Sequence, residues 1–178
     1  MWEGAGILTE RRANGAGRIT RLALLTAIAL TIFLVEAQLP AATVIPGIKL
    51  GLANIVTVYA VFALGPGDAL LVLAGRVFLG AVFSGQMMTL LYSGAGGLLS
   101  WCALCLLRRG LSRERIWLAS PIAALCHNLG QLLAAAAVMK TWAVMAYLPY
   151  LTIAGVIAGL FTGVAAQKLI GRLEKLKK

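Results

Sequence analysis

Long apolar runs, separated by short polar or glycine- and proline-rich breaks, make up most of this chain. A helix needs about 20 apolar residues to cross the hydrocarbon core of a bilayer. Five runs approach that length and a sixth is shorter, and together they predict membrane-spanning helices over 19–39, 48–64, 69–91, 98–107, 116–139 and 143–166. Because the run at 98–107 is short, we expect that helix to begin within the glycine-rich stretch before it.

The breaks between the runs contain turn-forming residues. Prolines interrupt 40–47, a tight turn is predicted at Gly65–Asp68, and Ser93–Gly97 predicts a glycine-rich break. The pattern therefore predicts one domain with two basic flanks. These are a basic N-terminal segment over 1–18, a six-helix membrane domain over 19–166 and a basic tail over 167–178.

Composition supports a membrane protein. Of the 178 residues, 61% are hydrophobic and 12% are charged, whereas a soluble domain has about 25% charged residues. This excludes a soluble globular domain, a disordered chain and a disulfide-rich secreted module. The first apolar run follows basic residues, as in a signal peptide, but it ends at Leu39-Pro40 without a small-x-small cleavage site. We expect it to be retained as a spanning helix.

The net charge of +10 comes from three basic clusters, at 11–21, 108–115 and 168–178. Six spans place all three clusters on one side, which the positive-inside rule identifies as cytoplasmic, together with both termini. Anionic lipid headgroups are the expected counter-charges, so membrane lipid is a predicted partner. The clusters lack interleaved aromatic residues, and nucleic acid is not a predicted partner.

Polar side chains at membrane depth are costly and are therefore candidates for a functional site. Most of the candidates share a predicted position in the outer half of the bilayer, where they would line a pocket that opens outward. The predicted substrate-binding residues are Glu36, Lys49, Asn54, Arg76, Gln86, Tyr92, His127 and Gln131.

Each candidate also has a structural interpretation. Glu36 could pair with Lys49 at a helix end, and Lys49 could extend to the interface. Arg76 could form a salt bridge with Glu36 or cap helix carbonyls. His127 and Gln131 share a helix face at i and i+4. That spacing suits a pocket lining and also suits hydrogen bonds between helices.

Catalytic machinery is missing from the sequence. It has no P-loop motif, and its only aspartate, Asp68, falls in a predicted turn. Mg²⁺ is usually held through carboxylates, so no prenyl diphosphate site of the aspartate-rich kind is expected. Cys102, Cys105 and Cys126 lie inside apolar runs. We predict no enzyme activity, no cofactor and no metal site.

Small residues recur at four-residue spacing on two predicted helices. Ala23 and Ala27 form one pair, and Gly155, Gly159 and Gly163 form a longer row. Such rows allow helices to approach closely. Either packing inside this chain or docking to another membrane subunit would explain them.

Four segments together resemble a known family. They are Pro46–Thr57, with its K-L-G-L-A-N motif, Gly75–Gly80, Leu91–Gly97 and His127–Gln131, with its H-N-x-G-Q pattern. The resemblance is to the Gx transporter family, which is labelled heptaprenyl diphosphate synthase component I, and it extends over about residues 20–170.

That family is similar to the S components of energy-coupling-factor transporters, which capture substrates in the bacterial cytoplasmic membrane. The resemblance implies six helices, an outward-facing pocket and an alanine pair, matched here by Ala23 and Ala27. In those S components the pair docks a transmembrane coupling subunit that works with an ATPase, so the resemblance implies both as partners. Substrate capture, with a small anionic or amphipathic substrate, is therefore one predicted function. The alternatives are a non-catalytic membrane accessory that presents an isoprenoid lipid to a soluble synthase, and a scaffold whose polar residues only pack helices.

Overall fold

The computed structural model describes residues 15–38 and 51–175, and all regular structure within them is helical. The prediction of an all-α chain is confirmed. Two 3-10 turns, Arg113–Arg115 and Trp142–Tyr147, precede the last two helices. In chain order the helices are α1 (Gly15–Gln38), α2 (Asn54–Ala63), α3 (Pro66–Ser84), α4 (Met87–Gly110), α5 (Ile116–Met139) and α6 (Leu148–Lys175). The predicted loop over 40–47 and Lys49 lie outside the described residues.

Five of these helices are long and apolar enough to cross a membrane, and α2 is the exception. A ten-residue helix extends only about 15 Å, whereas the hydrocarbon core is about 30 Å thick. The helix α2 is nevertheless the centre of the bundle, because it contacts each of the other five helices. Val58, Ala60 and Val61 on it are fully buried.

The helix ends meet as six helices of alternating direction require. At one end of the bundle, Arg18 of α1 donates to the carboxylate of Asp68 in α3 at 2.6 Å, and Arg108 of α4 lies beside the turn before α3. At the same end of α5 and α6, the amide of Gln167 donates to the backbone carbonyl of Glu114 at 2.8 Å. The described chain therefore begins and finishes at one end. The cytoplasmic orientation of that end stays a prediction.

The glycine-rich segment near residue 95 is helical, so the break predicted at Ser93–Gly97 is wrong. Its glycines let α4 pack backbone to backbone on α5. A Cβ at Gly96 would lie 2.7 Å from the carbonyl oxygen of His127, and one at Gly130 would lie 2.8 Å from the carbonyl oxygen of Ala95. The helix is interrupted instead at Gly85, which directly follows the last residue of α3 and has a left-handed φ of 65°. The predicted third span to residue 91 is therefore too long.

A valine at Gly96 should destabilise the bundle by about 1–3 kcal/mol, the usual cost of overpacking a tight interface. Its methyl groups would meet fixed backbone of α5. Gly94→Val in the same helix is the matched control, because a Cβ there meets only Val77 at 3.9 Å. Unfolding in detergent, followed by circular dichroism, measures the difference. Equal midpoints for the two variants would refute this account of the α4–α5 contact.

The glycine row of α6 serves packing within this chain. A Cβ at Gly159 would lie 2.6 Å from Pro121 Cα, and one at Gly163 would lie 2.6 Å from the carbonyl oxygen of Trp117. Gly155 packs against the side-chain amide of Asn128. Of the two interpretations of this row, the structure therefore supports internal packing.

Candidate functional site

A tight turn at Gly51–Leu52 leads into α2 and is held by a carboxylate from α1. Glu36 is buried near the end of α1. Its Oε1 accepts from the N–H of Gly51 at 2.7 Å, and its Oε2 accepts from the N–H of Leu52 at 3.0 Å. Buried backbone N–H groups need such partners, and negative charge is favourable before a helix N-terminus. Glu36 therefore fixes the start of the short central helix.

Gly51 is also the point where three helices come together. Its φ of 81° lies in the left-handed region, which favours glycine. A Cβ there would lie 3.0 Å from Asn54 Nδ2 and 3.0 Å from His127 Cδ2. Asn54 of α2 and His127 of α5 thus border the turn that Glu36 holds.

His127 and Gln131 form a hydrogen-bonded pair on the inner face of α5. Their Nε2 atoms are 2.9 Å apart. Because an amide nitrogen only donates, Gln131 donates to His127 Nε2, and the neutral ring then carries its proton on Nδ1. The ring of His127 interacts with the backbone of Gly96, whereas Gln131 Oε1 is buried with no hydrogen-bond partner among the described residues. The pair has one acceptor left over.

Arg76 lies near the middle of α3 and is 3% exposed. Its guanidinium carbon is 5.9 Å from the centre of the Phe33 ring, a cation–π distance. Electrostatic interactions connect it to Glu36 and to His127. Its Nε and Nη2 are buried and find no hydrogen-bond partner in the described part of the chain. This is a permanent positive charge inside the bundle with two unused donors.

These side chains form one group, which we call the central polar cluster. It comes from four helices, and every member is at least nine-tenths buried. Its members are Glu36, Asn54, Arg76, His127 and Gln131. Both amide atoms of Asn54 add to the atoms that lack a partner within the described residues. The cluster therefore offers a charge, several donors and several acceptors to a polar group at membrane depth.

Comparison with known families decides what kind of protein carries this cluster. The family model for heptaprenyl diphosphate synthase component I matches residues 25–169. The chain belongs to this family. Comparison with curated proteins and with solved structures gives no significant match. The family match includes every residue of the central polar cluster and five helices able to cross a membrane, so this component I chain is a multi-pass membrane protein.

The other predicted site residues of this component I chain lie elsewhere. Gln86 is exposed at the junction of α3 and α4, where it accepts from the Thr89 hydroxyl at 3.5 Å. Tyr92 is buried in a hydrophobic cluster with Leu132 and Leu151. Lys49 lies outside the described residues. The structure thus groups five of the eight predicted residues and separates Gln86 and Tyr92 from them.

Some important positions were not among the predicted site residues. The backbone N–H groups of Gly51 and Leu52 hold Glu36, and Gly96 packs against His127 and Gln131. One signal in the sequence marks Gly51, because it lies inside the K-L-G-L-A-N motif and only three residues before Asn54. Which backbone groups a carboxylate will reach depends on the tertiary fold.

The alanine pair of α1 faces away from the bundle. Ala23 and Ala27 are both exposed, and α1 is the least buried of the long helices. Packing against the described part of the chain therefore does not explain the pair. Elsewhere in the described residues, no group of three His, Cys, Asp or Glu side chains could hold a metal ion.

Proposed function

We propose that this chain is a non-catalytic membrane component in heptaprenyl diphosphate synthesis, and that it binds a prenyl ligand with the polar head in the central polar cluster. The observation that supports this most strongly is the buried charge of Arg76. Its Nε and Nη2, and both amide atoms of Asn54, have no hydrogen-bond partner among the described residues. Buried polar groups are costly until something pairs with them. A bound head would supply that pairing.

A prenyl diphosphate suits this location for two reasons. Its hydrocarbon chain favours the membrane, where the long helices of this chain would place it. Its head needs hydrogen-bond donors and positive charge, which Arg76 and Asn54 can offer at membrane depth. An Arg at the bilayer centre costs about 2.5–3.5 kcal/mol on insertion scales, and an anionic head would offset that cost.

The single aspartate of the sequence supports a non-catalytic role. The only aspartate in the chain is Asp68, and it bonds Arg18 at the end of the bundle away from the cluster. Metal-bound diphosphates usually need carboxylates to hold Mg²⁺. The name of the family, component I, implies at least one further component, which would carry out the chemistry.

The test compares ligands that differ only in the tail. The protein in nanodiscs of zwitterionic lipid is titrated with heptaprenyl diphosphate and with inorganic diphosphate, and its thermal unfolding midpoint is followed. We expect the prenyl ligand to raise the midpoint at concentrations at least tenfold lower. Equal responses, or no response to the prenyl ligand, would contradict the proposed function.

A second candidate function is substrate capture for a transporter, and the exposed alanine pair on α1 favours it. Small residues on a lipid-facing surface allow another helix to approach closely. Such a system would need a coupling subunit and an ATPase, since this chain has no P-loop. The same central polar cluster would then bind a small anionic substrate.

Changing both Ala23 and Ala27 to leucine should keep the fold intact and abolish co-purification with a membrane partner, because the helices could no longer approach closely. Ala137→Leu, at an exposed position of α5, is the control. Affinity purification from native membranes, with mass spectrometry of the captured proteins, measures the loss. A coupling subunit lost only in the double variant supports capture. Unchanged partners would refute docking through α1.

A further inference from the structure

We infer that the Nε–Nη2 edge of Arg76 is a bidentate receptor for a phosphate group, with the Asn54 amide as a further donor. This rests on the proposed function, in which the central polar cluster binds a ligand, and it specifies the chemistry of the head. The ligand class is a phosphate or diphosphate ester, or free phosphate.

The argument begins with which Arg76 atoms are unused. In a guanidinium group, the N–H of Nε and one N–H of Nη2 point the same way along one edge. These two nitrogens, buried, are the ones without a partner among the described residues. Two parallel N–H groups match two oxygens of one anion, and such paired bonds are among the strongest in proteins. The unused edge is therefore a preformed oxyanion fork.

The surroundings keep that edge available. Arg76 and Glu36 attract each other electrostatically, but the Nε and Nη2 of Arg76 donate no hydrogen bond to any described residue. The nearest acidic side chain in the cluster, Glu36, directs both of its oxygens to backbone N–H groups of the turn before α2. Phe33 lies against the guanidinium and holds it from one side. The fork is thus positioned by its neighbours and is not consumed by them.

The rest of the cluster favours phosphate over carboxylate. Asn54 Oδ1 and Gln131 Oε1 are acceptors without a partner in the described part of the chain. A carboxylate carries no proton for them. A singly protonated phosphate has unprotonated oxygens for Arg76 and an O–H for an amide oxygen, and its second pKa near 6 makes that form accessible. Phosphate therefore satisfies both kinds of unused atom.

The test varies the head on a constant tail. Farnesyl monophosphate, farnesoic acid and farnesol are each titrated into the nanodisc protein, with inorganic phosphate as the form without a tail. We expect affinity to fall in the order phosphate, carboxylate, alcohol, with at least a tenfold gap between phosphate and alcohol. The inference is overturned if farnesol binds as tightly as farnesyl monophosphate. It is also overturned if the protein responds to neither farnesyl monophosphate nor inorganic phosphate.

Variants test the fork itself. Arg76→Lys keeps the charge but loses the two parallel N–H groups of the Nε–Nη2 edge, so farnesyl monophosphate should bind at least tenfold more weakly. Asn54→Ala should weaken the binding of farnesyl monophosphate severalfold. Arg109→Lys, at the exposed end of α4, should change nothing. Unchanged affinity in Arg76→Lys overturns the inference. The head series on the parent protein decides the matter even if a variant fails to fold.

The two proposals can fail separately. If inorganic phosphate binds as tightly as the prenyl phosphates and needs Arg76, the fork is supported and the prenyl function is refuted. If prenyl ligands bind regardless of the head, the fork is refuted.

Discussion

Replacing Arg76 with glutamine should leave the folded protein as stable as the parent or slightly more stable, and should weaken farnesyl monophosphate binding about 100-fold. Glutamine removes a buried charge whose Nε and Nη2 have no described hydrogen-bond partner, and with it the insertion cost of that charge. Two charge-assisted hydrogen bonds at about 1.5 kcal/mol each account for the lost affinity. Thermal unfolding with and without the ligand measures both effects.

The competing hypothesis is that Arg76 is a structural partner of Glu36. It predicts that Arg76→Gln is destabilised and that Glu36→Gln in the same chain restores stability, because the orphaned carboxylate is removed. Our structure predicts instead that Arg76→Gln alone is not destabilised and that adding Glu36→Gln lowers stability. The reason is that the Glu36 carboxylate accepts hydrogen bonds from the Gly51–Leu52 turn. A destabilised single variant rescued by the second change would remove Arg76 from the site.

Replacing Glu36 with alanine should lower the free energy of unfolding by about 3 kcal/mol, because it leaves the N–H groups of Gly51 and Leu52 buried without acceptors. For a chain of this size, each kcal/mol corresponds to about 2–4 °C in the unfolding midpoint. Glu36→Gln, which keeps one acceptor oxygen, should lose less stability. Circular dichroism melts of the three proteins provide the comparison, and an alanine variant as stable as the parent would contradict the capping role.

Hydropathy predicted the long helices well where a single run matched a single span. The fifth span, predicted over 116–139, coincides with α5, and the first differs from α1 by a few residues. The central helix is shorter than its predicted span because Asn54 follows a turn with a left-handed Gly51. An apolar run does not reveal that Gly51 and Leu52 form a turn held by a distant carboxylate.

The break predicted around residue 95 was wrong because the glycines there are part of a helix. In a soluble protein, Ser93–Gly97 would end a helix, but in a membrane bundle small residues allow close helix packing. The true break falls at Gly85, where the backbone has the left-handed geometry that favours glycine. Composition cannot separate these two uses of glycine, because the difference lies in the neighbouring helix.

The rule that polar residues at membrane depth are functional candidates predicts Glu36, Asn54, Arg76, His127 and Gln131 as members of one site, and the fold brings these five side chains together. It also listed Gln86 and Tyr92, which the fold places on the surface and in a hydrophobic cluster. Depth along a helix can be estimated from sequence. The direction in which each helix face points depends on packing among all six helices.

Native mass spectrometry of the protein released from its own membranes tests the central claim most directly, with the parent chain and Arg76→Gln prepared in parallel. We predict that the parent retains a phosphate-containing prenyl molecule at one per chain and that the variant does not. An identical set of bound molecules in both proteins, or none beyond bulk membrane lipid in the parent, would contradict a ligand site at the central polar cluster.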